Sequence, residues 1–260
     1  MQSHEKEKRR VRLGGVTLGE GRPAVCVPVM GKSIDEIAAA ARRAKDACAD
    51  VIELRIDSLA AMPQTDAALE AIAAVRENAQ GIPVLFTLRT ERDGGAGSAD
   101  AAAYEALLGG VLAGKVCEAV DCELSVGEAA FVRIAKLAKE NGAVLVGSSH
   151  EFGEIGDMNR AGEWLLEQER LGADVCKAAV MTQDVQQALA LMQVYAAAHE
   201  KLCAPLIAIA MGPAGVMTRL CGQCFGSCLT FGTAGKASAP GQIDAMKLRA
   251  ALETVEGAMK

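Results

Sequence analysis

Aromatic side chains are scarce: five Phe, two Tyr and one Trp make up 3% of 260 residues, although 51% of the chain is hydrophobic. The core must therefore be built mainly from Ala, Val, Leu and Ile, a composition that suits Ala-rich helices packed on buried strands. No apolar run approaches the roughly 20 residues of a membrane span, so a membrane is not an expected partner. The opening MQSHEKEKRRVR is charged and has no apolar centre, so it is not expected to act as a secretory signal. An excess of positive charge is also missing. Lys and Arg number 27 against 33 Asp and Glu, a net charge of −6, which argues against nucleic acid as the main partner. Any anionic ligand would then need arginines placed locally against that field. No GxGxxG follows the first predicted strand, which removes the main support for an open dinucleotide-binding sheet. The nine cysteines are odd in number and show no disulfide framework. Cys221 and Cys224 form a CxxC with Cys228 nearby, but there is no second ligand pair for zinc and no thioredoxin-like setting. The cysteines are expected to be small buried hydrophobes, and the cytoplasm is the expected compartment.

What the chain does have is rhythm. VRLGGVTLGEG alternates apolar and polar residues around Gly14 and Gly15 and predicts a short hairpin. Apolar strands are then predicted at 24–30, 51–57, 83–90, 116–124, 143–150, 174–180, 205–211 and 227–234. Helical stretches separate them, at 33–47, to about 78, near 100–112, 127–141, around Trp164 and Leu165, 182–199, 216–223 and 242–255. Ser33 and Glu36 have the spacing of a capping box at the first helix. Eight buried strands alternating with eight helices predict an α/β fold, a single (β/α)8 TIM barrel, and the length fits one. The expected organisation is a disordered tail at 1–10 and a catalytic barrel domain at 11–260.

In such a barrel the active site lies at the C-terminal ends of the strands, and the unusual polar residues fall there. Lys177 sits inside DVCKAAVM among Val175, Cys176, Ala178, Ala179 and Val180. Burying an ammonium is costly unless it is paired or neutral, and a neutral lysine is an amine nucleophile able to form a Schiff base. The plainer alternative is a lysine that snorkels to solvent. His150 ends the neighbouring strand in GSSHEF and can move protons near neutral pH; His4 and His199 are expected in solvent. Glu53, Arg55 and Asp57 are spaced by two and so share a strand face, either lining the barrel mouth or forming an interior ion-pair cluster. Arg89 ends the third strand as a candidate for substrate oxygens, with Asp93 in the glycine-rich loop after it. Asp121 and Glu123 share a face of the fourth strand and could orient His150. Arg219 could clamp a carboxylate bidentately. The loop 232–241 has the composition of a mobile lid with Ser238 and Gln242 as donors, though a surface turn would look similar.

The ordered set ELRID, FTLRT, GSSHEF, the lysine of DVCKAAVM, MGPAGVMTRL and FGTAGKASAPGQI resembles type I 3-dehydroquinate dehydratase of the shikimate pathway, from about residue 11 to the C-terminus. The resemblance implies a lyase that converts 3-dehydroquinate to 3-dehydroshikimate by syn elimination through a Lys177 imine, with no metal or organic cofactor. It implies His150 as general base and then general acid, with Asp93 standing where the family commonly has a polarising Glu. Arg219 would hold the substrate carboxylate, Ser238 and Gln242 would close from the lid, and Glu53, Arg55 and Arg89 would bind ring hydroxyls. Met211 would pack against the ring, and the family is usually a homodimer. Two other readings share parts of the pattern. One is another Schiff-base barrel such as a class I aldolase, which for phosphorylated sugars would need a phosphate cradle after strands seven and eight. The other is a non-catalytic metabolite-binding barrel.

Overall fold

The computed structural model describes residues 7–235 and 238–260. The chain opens with β1 (Val11–Leu13) and β2 (Val16–Leu18), an antiparallel hairpin turned at Gly14 with φ +55°. Strands and helices then alternate: β3 (Ala24–Val29), α1 (Ile34–Asp46), β4 (Val51–Arg55), α2 (Thr65–Asn78), β5 (Val84–Thr87) and α3 (Ala101–Gly114). They continue through β6 (Ala119–Glu123), α4 (Glu128–Asn141), β7 (Val144–Glu151), α5 (Asn159–Arg170), β8 (Val175–Met181) and α6 (Val185–Lys201). The last part holds β9 (Leu206–Met211), α7 (Val216–Leu220), β10 (Leu229–Thr233), β11 (Ile243–Asp244) and α8 (Ala245–Ala258). Ser33, Asp100, Asp184 and Asp244 start their helices by accepting the N–H three residues on, as short polar caps do.

Every pairing in the main sheet is parallel, in the order β11-β10-β3-β4-β5-β6-β7-β8-β9. β9 and β10 meet through one parallel bridge, Leu206 to Ser227, and the Cys228 N–H donates to Leu206 O at 2.8 Å. The Ser227 hydroxyl accepts from the Ala208 N–H at 3.1 Å and stands in for ladder bonds at this seam. The expected TIM barrel with its N-terminal hairpin is thus the fold observed.

Side chains alternate across each strand and build two cores. Val25, Val27, Ile52, Leu54 and Phe86 face the helices. Ala24, Cys26, Val51, Leu85, Ala119, Val146 and Val175 fill the start of the barrel interior, where Leu13 and Leu18 of the hairpin cover them. The inward residue two places further along each strand is often polar: Glu53, Thr87, Asp121, Ser148 and Lys177, all buried. An apolar plug below and a polar layer above confine the chemistry to one end of the barrel.

Several local expectations are corrected. β4 ends at Arg55, and Asp57 lies in the short 3-10 turn that follows (Ile56–Ser58), so Asp57 does not continue the strand face. At α1 the Ser33 hydroxyl caps Glu36 N–H at 3.2 Å, but the Glu36 carboxylate reaches back to Lys32 N–H rather than to Ser33. α8 starts at Ala245, which leaves Gln242 in the preceding loop beside the two-residue β11. All nine cysteines are free, but Cys48 and Cys224 are exposed and Cys203 and Cys221 half-buried, so only five are buried hydrophobes. His199 is half-buried and its Nδ1 is shielded from solvent without a partner. Of the expected tail, residues 1–6, with His4, lie outside the described residues. Lys8 donates to the carbonyls of His199 and Leu202, and Arg9 N–H to that of Cys203. Among the described residues no helix is long and apolar enough to cross a membrane.

Candidate active site

The strands' C-terminal ends surround an open pocket of about 560 Å³. All ten predicted site residues line it: Glu53, Arg55, Arg89, Asp93, His150, Lys177, Met211, Arg219, Ser238 and Gln242. Lys177 reaches it from the middle of β8 and is only 3% exposed, so it does not snorkel to the surface. Its Nζ lies 3.5 Å from Glu53 Oε1 and 3.5 Å from Asp121 Oδ2, and 4.6 Å from the centre of the Phe231 ring. Phe231 is a pocket residue that the sequence did not mark, because an aromatic in an apolar strand looks like core.

His150 projects from β7. Asp93 Oδ2 accepts from both its main-chain N–H and its Nδ1, each at 3.1 Å. One carboxylate oxygen thus fixes the loop and sets the tautomer, leaving Nε2 as the basic nitrogen. The shorter Asp reaches the imidazole because the 3-10 turn Glu91–Asp93 folds back over β7, held by Gly94 at φ +78° and by Gly95 N–H to Thr90 O. A Cβ at Gly94 would collide with Phe152, which closes the same side of the pocket mouth. Burial, with help from the Arg89 and Lys177 charges, pushes the His150 imidazole well below its usual range. Burial also lifts the Asp93 carboxyl, against the pull of Arg89.

Asp121 and Glu123 do not orient His150. Arg89 Nη2 lies 2.8 Å from Asp121 Oδ2, while Nη1 donates to Glu123 at 2.9 Å and to Ser148 Oγ at 3.0 Å. The Ser148 hydroxyl passes on to Asp121 Oδ1 at 2.7 Å. Burial opposes the ionisation of Asp121, yet Arg89 and Lys177 hold it well below the usual carboxylate range. Ser148 and Thr87, which donates to Glu53 at 3.3 Å, were legible only as inward positions two residues before His150 and Arg89. Asp57 is not among the pocket-lining residues; it holds Arg55 with two bonds of 2.8 Å and also accepts from Ala96 N–H at 3.2 Å. It therefore aims a pocket arginine and ties down the loop that carries Asp93.

Arg219 comes from α7, after the tight turn at Gly212 (φ +88°). It is 1% exposed, and no carboxylate pairs with it among the described residues. Among the described residues its bonds are to carbonyls alone, Phe231 O at 3.5 Å and Pro240 O at 3.1 Å, and Nε has no partner. Burial brings its pKa down to about 10. The loop from β10 folds over it. Ser238 N–H donates to Gln242 Oε1 at 2.8 Å and Gln242 Nε2 to Ser238 Oγ at 2.9 Å, which presents both side chains to the pocket. Lys236 and Ala237 of the expected lid lie outside the described residues. Among the described residues no cluster of His, Cys, Asp or Glu could hold a metal ion.

Fold and site together define a (β/α)8-barrel protein whose pocket gathers an interior amine, an oriented imidazole and a buried guanidinium with no carboxylate partner among the described residues. The profile of the family described as Type I 3-dehydroquinase matches residues 25–259, and the chain belongs to that family. It is 34% identical over 249 residues to the 3-dehydroquinate dehydratase of Clostridioides difficile, covering 94% of this chain and 96% of the relative. It is 36% identical to that of Klebsiella pneumoniae, covering 94% and 97%. Among solved structures, the 3-dehydroquinate dehydratase of Geobacillus kaustophilus superposes with a TM-score of 0.93 at 30% identity, over 98% of this chain and 99% of the other. The type I C. difficile enzyme, solved with covalently modified comenic acid, superposes at 0.92 and 32% identity, over 96% and 99%.

Proposed function

We propose that the chain is a hydro-lyase converting 3-dehydroquinate to 3-dehydroshikimate through an imine on Lys177. The observation that carries this reading is the convergence on one pocket of Lys177 Nζ, the His150 imidazole and Arg219, which has no carboxylate partner among the described residues. Arg219 binds the substrate carboxylate, which supplies the anion its burial lacks, and Ser238 and Gln242 close over that end. Glu53 and Arg55 take ring hydroxyls, Met211 packs on the ring, and Arg89, already engaged by acids, contributes mainly charge. The Lys177 amine gives up a proton to attack the ring ketone, and that proton returns as water leaves, so the C=N bond forms as the protonated imine. The protonated imine draws electrons and acidifies the adjacent C–H. His150 Nε2, neutral because burial disfavours its charged form, removes that proton while Asp93 holds Nδ1–H. The enamine electrons then expel the β-hydroxyl, which takes its proton from His150 and departs as water. Hydrolysis of the conjugated imine returns Lys177. The family's usual homodimer and a cytoplasmic location are carried to the chain as part of the same proposal.

The test is borohydride reduction in the presence of 3-dehydroquinate, followed by intact-mass measurement and peptide mapping. A stable adduct on Lys177 is the expected result. Binding without an adduct would favour the metabolite-binding barrel, and neither binding nor adduct would favour an aldolase-type substrate.

A further inference from the structure

Gln168 is an unlikely residue for its place. It lies on the buried face of α5 with Ala161, Gly162 and Leu165, and it is 0% exposed. A buried amide is costly unless its polar atoms are bonded, and here every bond goes to the strands of the site. Oε1 accepts from the Lys177 main-chain N–H at 2.9 Å. Nε2 donates to the Lys177 carbonyl at 3.0 Å and to Ser149 Oγ at 3.1 Å. The Lys177 N–H can only donate, so the orientation of the amide is determined by its partners. The space is tight: a Cβ at Gly147 would come within 3.0 Å of Gln168 Cβ, Ala173 Cβ and Phe131 Cζ.

We propose that Gln168 is a positioning residue for the reaction: it clamps the Lys177 peptide at both ends and ties it to Ser149, the residue before His150. One amide on a helix outside the barrel thereby sets the spacing between nucleophile and base inside it. An apolar side chain of the same volume would fill the space but remove the bonds to the Lys177 N–H and carbonyl and the tie to Ser149. An error of about 1 Å in such a placement can cost about 100-fold in rate.

This inference rests on Lys177 as the imine-forming residue, so the experiment tests both. Borohydride trapping with 3-dehydroquinate is timed in the wild type, in Gln168→Met and in Gln168→Glu, alongside kcat, KM and melting temperature. Gln168→Met is expected to lower kcat and the trapping rate together, by about 10- to 100-fold, with KM within about threefold. A purely structural role would lower the melting temperature and leave both rates of the folded protein near wild type, which would overturn the proposal. In Gln168→Glu the ionised carboxylate can accept from the Lys177 N–H but cannot donate, whereas the protonated acid does both. Activity relative to wild type should therefore rise as pH falls. A flat ratio would overturn the proposal even if Gln168→Met fails to fold. Absence of a Lys177 adduct in the wild type would remove the Schiff-base reading and this proposal with it. Wild-type trapping with unchanged variants would remove this proposal alone.

Discussion

Arg89 and Arg219 line the same pocket and are buried to nearly the same degree, 3% and 1% exposed, yet their surroundings are opposite. Around Arg89, Asp121 and Glu123 approach within 2.9 Å, Asp93 within 3.9 Å, and Ser148 completes the shell. Around Arg219 the described residues offer two carbonyl oxygens and no carboxylate. A buried charge needs partners, and the protein supplies them on one wall and withholds them on the other. The first wall is an ion-pair network that fixes charge and geometry. The second keeps a guanidinium without a carboxylate partner among the described residues, the group proposed above to take the substrate carboxylate. Lys177 stands between them, with two carboxylates at 3.5 Å on the acid side and the Phe231 ring on the other.

The largest effect should follow from removing the group at that boundary. Lys177→Ala should cut turnover of 3-dehydroquinate by about 10⁴-fold or more, measured by the absorbance of the enone product, and should abolish borohydride labelling. Retained turnover would refute the nucleophile assignment. The comparison of the arginines predicts a split. Arg89→Met would strand Asp121 and Glu123, and losing one member of a buried network costs about 3–5 kcal/mol. For a domain of this size that is a fall of roughly 6–20 °C in melting temperature. Arg219→Met removes a charge with no carboxylate partner and should leave the melting temperature unchanged or slightly higher. Its KM should rise by about 100-fold, the worth of a bidentate charge-assisted pair. Equal melting temperatures for the two variants would break the distinction.

The smallest effect concerns pH. The folded state holds His150 well below its usual range, while the unfolded chain protonates near the ordinary ~6.5. Below that value the unfolded state binds the extra proton, so stability should fall as pH drops from about 6.5 towards the folded-state value. His150→Gln should flatten this segment of a denaturant-midpoint profile, and an unchanged slope would assign it to other groups. For the same reason the acidic limb of wild-type kcat/KM, where His150 must stay neutral, should lie below pH 6.5.

Much of the site was legible because inward residues on a strand recur every two positions. Glu53 with Arg55 and Asp121 with Glu123 could be placed on strand faces from spacing alone. The same spacing misplaced Asp57, since β4 ends in a 3-10 turn and the pattern carries no information once the extended backbone stops. It also could not say which cation Asp121 and Glu123 would meet. Arg89 reaches them from two residues past the end of β5 rather than from the strand itself, and such pairing depends on register and barrel curvature. Gln168 gave no signal, because a glutamine near the end of a helix usually faces water.

The order of apolar strands and helices, set by local periodicity and turn residues, was enough to specify an α/β barrel with its reactive residues at strand ends. Local pattern also brought Lys177 into a strand of small residues. Only the closed barrel decided partners: that Asp93 would hold His150, that Arg89 would meet two acids and Arg219 only carbonyls, and that Gln168 would reach the Lys177 main chain. Those outcomes depend on distances between segments far apart in the chain, which close only when all eight barrel strands are in register.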